Sequence, residues 1–316
     1  WPDAVKEKNS DGCTSLHVAC RCGASLDIVS LLLSSWPDVV KEKNSNGCTP
    51  LYVACDYGAP LDVISLLLSS WPDGAKEKDN DGSTHLHIAC ERKASLDAVS
   101  LLLSIWPDGV KEKNSQSQTP LYVACDYHEA PFDVVSLLLS SWQDAVKEKE
   151  NGGWIPLHLA CEHGASLDVI SLLLSSWPNA AREKNSDGDT PLHIACRNET
   201  SVDVVQLLLD QWLEAAENRN SYSVDSLADD NTPTETSNFL FYISSLLNDH
   251  QNDPTPHDIM SFFININWWN GVLLVIDRYP TVSKSFGLHT NVMADFLSIV
   301  GKHCSLTTMS NVIQNE

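Results

Sequence analysis

Six cysteines, Cys20, Cys55, Cys90, Cys125, Cys161 and Cys196, stand at one position of a repeated stretch, and four histidines, His17, His87, His158 and His193, stand at another. Thiols in such number could close disulfides or hold a metal. A repeated imidazole could act as a general base. Neither chemistry fits the pattern. Adjacent copies would lie one helix-packing distance apart, about 8–10 Å, too far for a disulfide between their Cα atoms. No C-x-x-C spacing occurs. The cysteine slot suits a small, weakly polar side chain buried between helices. Tyr52 and Tyr122 occupy the histidine slot in two copies, and no companion nucleophile appears in any. A P-loop, a G-x-G-x-x-G run, a G-x-S-x-G elbow and an H-E-x-x-H motif are all missing. Only Cys22, Cys304, His250 and His303 lie outside the repeat slots as candidates for a reactive group. The expectation is no catalytic residue, no metal and no cofactor.

The elements that carry these residues form a ladder. Gly12-Cys-Thr-Ser-Leu-His-Val-Ala-Cys20 opens it, and Asp187-Gly-Asp-Thr-Pro-Leu-His-Ile-Ala-Cys196 is the sixth copy. Trp1, Trp36, Trp71, Trp106, Trp142, Trp177 and Trp212 mark a period of 35 residues, stretched once to 36. Each copy reads as helix, loop, helix and turn. Thr190 suits an N-cap and Pro191 the first helical position. Ser166 caps the second helix, and Asp168 in its first turn favours the helix dipole. Trp-Pro then ends the helix. The tryptophan row is expected to line the back of the stack as core. The Lys-Glu-Lys that follows is expected to pair across copies.

A T-P-L-H-x-A pattern at a period near 33 residues is the ankyrin signature, and this chain resembles that family over residues 1–219. The resemblance implies an all-α fold, an ankyrin-type solenoid of stacked helix–loop–helix repeats with short β-turn or hairpin connections. It implies that the repeated histidine ties the hairpin to the helix start. Residues 1–8 match the tail of a unit, as in a piece of a longer array. Residues 220–236 are polar without helical period and read as a loop or insertion. Residues 237–316 read as degenerate helical repeats, a cap on the array. Within them 238–248 is a predicted helix, Thr255-Pro-His-Asp-Ile resembles a worn helix start, 273–279 a second helix, and Ser305–Ser310 a further one. Departures from the pattern, Ser117 for Gly, an insertion in His128–Phe132 and Ile155 for Thr, cluster at 115–156.

The net charge is −22, with 32 acids against 17 bases in residues 1–219 and 10 against 3 in the remainder. Nucleic acid needs clustered Lys and Arg, and neither part is an electrostatic match for it. A basic protein partner fits better, and the simpler reading is that the charge keeps a long array soluble. No apolar run is long enough to span a bilayer. Free thiols suggest an intracellular compartment, cytoplasmic or nuclear. A monomer is expected.

The resemblance places variable contact positions beside the hairpin glycine and just after the Ala-Cys pair. Carried over, these include Asp56, Tyr57, Glu91, Arg92, Asp126, Tyr127, Trp154, Glu162, His163 and Arg197. They would line one concave face that binds a protein. Trp154 follows Gly153 at a turn tip, so it is expected to be partly exposed and flanked by Tyr127 and His163. The competing reading folds it over the helix start at Ile155. The function implied is a protein–protein interaction scaffold. The alternative is a targeting or regulatory arm of a larger enzyme, signalling protein or channel.

Overall fold

The computed structural model describes residues 6–126, 130–198, 200–213, 221–230, 232–247, 254–279 and 281–282. Contacts divide the chain into two compact units, Trp1–Ile194 and Ala195–Glu316.

In the first unit each copy supplies a helix pair. These are α1 Ser15–Arg21 with α2 Leu26–Ser35, α3 Pro50–Asp56 with α4 Leu61–Ser70, and α5 His85–Glu91 with α6 Leu96–Ile105. Then follow α7 Pro120–Ala124 with α8 Phe132–Ser141, and α9 Pro156–Glu162 with α10 Leu167–Ser176. The sixth pair, α11 Pro191–Arg197 and α12 Val202–Trp212, falls across the division, with α12 in the second unit. First helices pack on first helices and second helices on second helices, so the first unit is two helical layers thick. No strand forms among the described residues, and the one isolated bridge joins Lys78 to Thr84.

Local chemistry sets the boundaries. Thr14, Thr49, Thr84 and Thr119 hold extended backbone and accept from the N–H three residues on. The threonine oxygen thus satisfies a helix donor that has no partner within the helix. Second helices bury one stripe: in α10, Val169, Ile170, Leu173 and Leu174. Full burial of such a side chain stabilises by roughly 1.5–3 kcal/mol, so packing between neighbours, not propensity, holds these ten-residue helices.

The tryptophans correct the expectation of a core row. Trp36, Trp71, Trp106, Trp142 and Trp177 are each only half-buried; Trp212 alone is buried. Each of the five is the C-cap of a second helix and leads into a short 3-10 turn such as Pro72–Lys76 or Pro107–Lys111. The ring lies along that turn. A Cβ built on Gly74 would come within 2.6 Å of Trp71 Cε3, and one on Gly109 within 2.9 Å of Trp106 Cε3. One ring face covers backbone and the other faces water.

The lysine ladder follows the expectation. Lys8–Glu42, Lys43–Glu77, Lys78–Glu112, Lys113–Glu148 and Lys149–Glu183 pair across copies at 2.6–2.8 Å. These pairs are partly exposed, so each is worth at most about 1 kcal/mol.

The irregular fourth copy is visible as a shortened helix, with α7 five residues long where α3, α5 and α9 have seven. Ser117 takes φ +64° where Gly12, Gly47, Gly82, Gly153 and Gly188 serve the other tips. A left-handed non-glycine residue costs roughly 1–2 kcal/mol. Ser117 Oγ, however, bonds Asn151 Oδ1 at 2.8 Å on the surface, which offsets part of that. Ser117→Gly is expected to stabilise by about 0.5–1 kcal/mol, measured as a rise in melting temperature. An unchanged or lower value would show that the hydroxyl bond outweighs the strain.

The second unit contains α12, α13 Ser221–Asp225, α14 Thr234–Leu247, α15 Pro256–Asn265 and α16 Trp269–Arg278. Residues 220–236, read from sequence as a loop, include the short helix α13 and bury Val224 and Leu227 completely. Two apolar side chains three residues from each other suffice to anchor a segment too short to show a period. The worn repeat is a true helix pair. Thr255 caps α15, Asp258 closes a reciprocal box with it, and Tyr279 ends α16. Aromatic rings fill the interior: Phe239 and Phe263 lie 5.0 and 4.8 Å from Trp268, each edge to face. Trp268 Nε1 donates to Asp210 Oδ1 at 2.9 Å, and Asn270 Nδ2 to Oδ2 at 2.6 Å. These bonds tie the second helix of the sixth copy to the tail. The resemblance of 305–310 to a further helix lies outside the described residues.

Candidate protein-interaction face

The turn tips are built by one side chain per copy that the sequence reading passed over. Asn44 Oδ1 accepts from the N–H groups of Asn46 and Cys48 at 3.0 Å each. Asn9, Asp79, Asn114, Glu150 and Asn185 do the same in their copies. The signal was present in the recurring Asn after Lys-Glu-Lys. Adjacent tips are then joined by backbone bonds, Ser45 N to Asp11 O at 3.0 Å and Ser115 N to Asp81 O at 2.8 Å among them.

The histidines complete this frame. His17 Nδ1 accepts from Thr14 N at 3.2 Å, so the proton of the neutral ring sits on Nε2, which donates to Cys48 O at 3.0 Å. His87 reaches Gln118 O and His158 reaches Asp189 O in the same way. Each ring staples a helix start to the tip of the next copy. Burial pushes His87 and His158 down to about 4, which keeps both neutral. Tyr52 reaches the same neighbour differently, donating to Asp79 Oδ2 at 2.7 Å. The ladder thiols are buried, and burial pushes Cys20, Cys55, Cys125 and Cys196 up to about 12, far from the thiolate that nucleophilic chemistry needs. No group of three or more metal-type ligands occurs among the described residues.

The sequence-derived contact residues sit at the C-terminal ends of the first helices and at the tips, and several hold each other across copies. Arg92 Nε meets Asp56 Oδ1 at 2.7 Å, with Glu91 3.7 Å away. His163 Nε2 lies 3.0 Å from Asp126 and 3.9 Å from Glu162. Arg197 pairs with Asp229 at 3.3 Å, both in the second unit. Tyr57 caps α3 and is 56% exposed. Tyr127 lies outside the described residues.

Trp154 is half-buried, and its ring lies 5.7 Å from that of His158. The helix start beneath it carries Ile155, fully buried, whose N–H donates to His158 Nδ1 at 3.2 Å. The ring therefore lies over the one tie in the series that has no threonine hydroxyl, and it still leaves part of its surface to solvent.

A groove of about 380 Å³ runs between the first and second copies. Asp11, Cys13 and Asn46 line it from the tips, Arg21, Asp56 and Tyr57 from the ends of α1 and α3. Expected contact positions from two copies thus converge on one concavity that offers both signs of charge and an exposed phenol.

Paired helices stacked in two layers and joined by hydrogen-bonded tips define a helical repeat solenoid. Its class is that of modules that bind other proteins. Sequence models for ankyrin repeats match residues 2–75, 60–150 and 130–221, and the chain belongs to the ankyrin-repeat family. Among solved structures, the human ASB11 ankyrin repeat domain is 28% identical with a TM-score of 0.55, aligning over 66% of this chain and 86% of that one. The ankyrin repeat domain of Bcl-3, an IkappaB family member, is 27% identical with a TM-score of 0.52, over 65% and 86%. A structure of the Bdellovibrio bacteriovorus predatory endopeptidase Bd0816 in complex with immunity protein Bd3460 shares the fold at 22% identity and a TM-score of 0.52, over 65% and 99%. Comparison with curated proteins finds no match. Among the described residues no helix is long and apolar enough to cross a membrane.

Proposed function

We propose that the array is an interaction scaffold that takes a protein partner on the face made by the turn tips and the first-helix ends, the concave side. The groove lined by Arg21, Asp56 and Tyr57 is the observation that carries this reading. A half-exposed tyrosine at a concavity, rimmed by charge, is the usual composition of a binding hot spot. Asp11, Asp81, Asp187 and Asp189 lie at the tips and Arg92 is already held by Asp56, which favours a basic segment as the occupant. Reduced, buried thiols fit an intracellular monomer.

Affinity purification from cell extract tests this with Tyr57→Ala beside the wild type. The Tyr57 side chain is 56% exposed and only its backbone caps α3, so melting should be unchanged. A tyrosine hot spot is often worth about 2 kcal/mol or more on truncation, so the partner recovered by the wild type should be lost or fall at least tenfold. Equal recovery at equal melting temperature would remove the groove from the binding site.

A further inference from the structure

The second helices present a different surface, and its composition is unusual for a water-facing one. Their outward positions repeat as Leu, Asp, Ser, Leu and Ser, at steps of zero, one, four, five and eight residues. Those offsets lie along one helical stripe. The leading residues Leu26, Leu61, Leu96, Phe132 and Leu167 are 37–44% exposed, forming an apolar column across five copies. Asp27, Asp62, Asp97, Asp133 and Asp168 stand beside them, and none forms an ion pair among the described residues. Not one Lys or Arg occurs in α2, α4, α6, α8 or α10. The ladder lysines on the other side of the 3-10 turns are, by contrast, paired within the protein.

Between these helices the same groove forms twice. One, of about 400 Å³, lies between α4 and α6 and is walled by Leu61, Ser65, Asp97 and Leu101. The other, of about 320 Å³, lies between α6 and α8 and is walled by Leu96, Ser100, Asp133 and Leu137. Each thus combines two leucines, serine hydroxyls and a carboxylate at equivalent positions, and Asp97 adds a second carboxylate to the groove between α6 and α8. The walls are ten-residue helices, about 15 Å long, which matches three turns of a helix laid between them.

We propose that this outer face is a second docking surface, and that its occupant is an amphipathic helix of a partner protein, with leucine-like residues in the groove and Lys or Arg facing Asp97 and Asp133. Charge selects among occupants. A second copy of a chain with net charge −22 would set acid against acid, and an anionic bilayer would be repelled on the same ground. A neutral apolar helix would leave the aspartates desolvated and unpaired, at a cost. A basic amphipathic helix satisfies both the column of leucines and the column of carboxylates. The proposal does not depend on occupancy of the tip face.

The test uses the full chain and a synthetic eighteen-residue helix of leucine and lysine, with two controls in which glutamate replaces lysine or serine replaces leucine. Calorimetry and hydrogen exchange are read together. The leucine–lysine peptide is expected to bind and to slow exchange in 61–70, 96–105 and 132–141, while the controls do not bind. Leu61→Ser with Leu96→Ser should weaken binding at least tenfold, and Tyr57→Ala should leave it unchanged. Both leucines are exposed, so circular dichroism should match the wild type; if it does not, Asp97→Asn with Asp133→Asn replaces that pair and should also weaken binding several-fold. Protection confined to 44–57 and 79–92, equal binding by a correctly folded leucine or aspartate variant, or equal binding of the glutamate peptide would overturn the proposal.

Discussion

Below pH 6.5 the protein is expected to lose stability steeply. Burial pushes His85, His87 and His158 down to about 4 from an ordinary value of 6.5. The folded state therefore holds these rings neutral, while the unfolded chain protonates them near 6.5. The stability they preserve is complete above that value and is lost as pH falls towards 4. Each ring contributes roughly 3 kcal/mol over that window, and the three together on the order of 10 kcal/mol, comparable with the whole stability of an ordinary domain. His85 is the sharpest case. It fills the helix position held by proline in other copies, Pro50, Pro120, Pro156 and Pro191, and is 1% exposed. Its Nε2 meets Thr49 Oγ1 at 2.9 Å and its ring packs 5.9 Å from Tyr52. Urea melts at pH 7.5, 6 and 5 should show a falling midpoint, and His85→Pro should reduce the fall by about a third. Stability that stays level across that range would contradict the assignment of these rings as buried and neutral.

Trp268→Ala is expected to destabilise the second unit by about 4 kcal/mol. The ring is 2% exposed between Phe239 and Phe263, and its Nε1 donates to one oxygen of Asp210. Truncation removes a large buried side chain and a side-chain donor to that carboxylate. Hydrogen exchange should quicken in residues 202–212, 239–246 and 259–276. Trp106→Ala, whose ring is half-solvated, should cost about half as much. Equal losses for the two would mean that burial does not set the scale here.

The fold was legible because each level of the sequence repeats the same instruction. Threonine caps, a buried apolar stripe and a Trp-Pro stop recur at one period, so a local misreading in one copy is corrected by five others. Where the period is lost, legibility falls: α13 is too short to show a pattern, and the buried Val224 and Leu227 anchor its segment. The tryptophan row was misread because periodicity locates a residue and does not say which side of it the chain leaves open. The contact positions came from the family pattern. Their pairing, Arg92 to Asp56 and His163 to Asp126, joins residues 36 and 37 apart and depends on the rotation between copies. That rotation is not written in any single repeat. The Asn row was legible and was overlooked, because an asparagine in a loop reads as solvated until its two N–H partners are seen.

The most direct test of an interaction scaffold with a working tip face places a photoreactive benzoylphenylalanine at position 57, in cells, beside one at position 73. Tyr57 is exposed at the groove, and Asp73 is exposed on the 3-10 turn Pro72–Lys76, outside the groove's lining. A discrete cross-linked protein from position 57 and none from position 73 is the expected result. Cross-links of equal yield and pattern from both, or none from position 57, would contradict it.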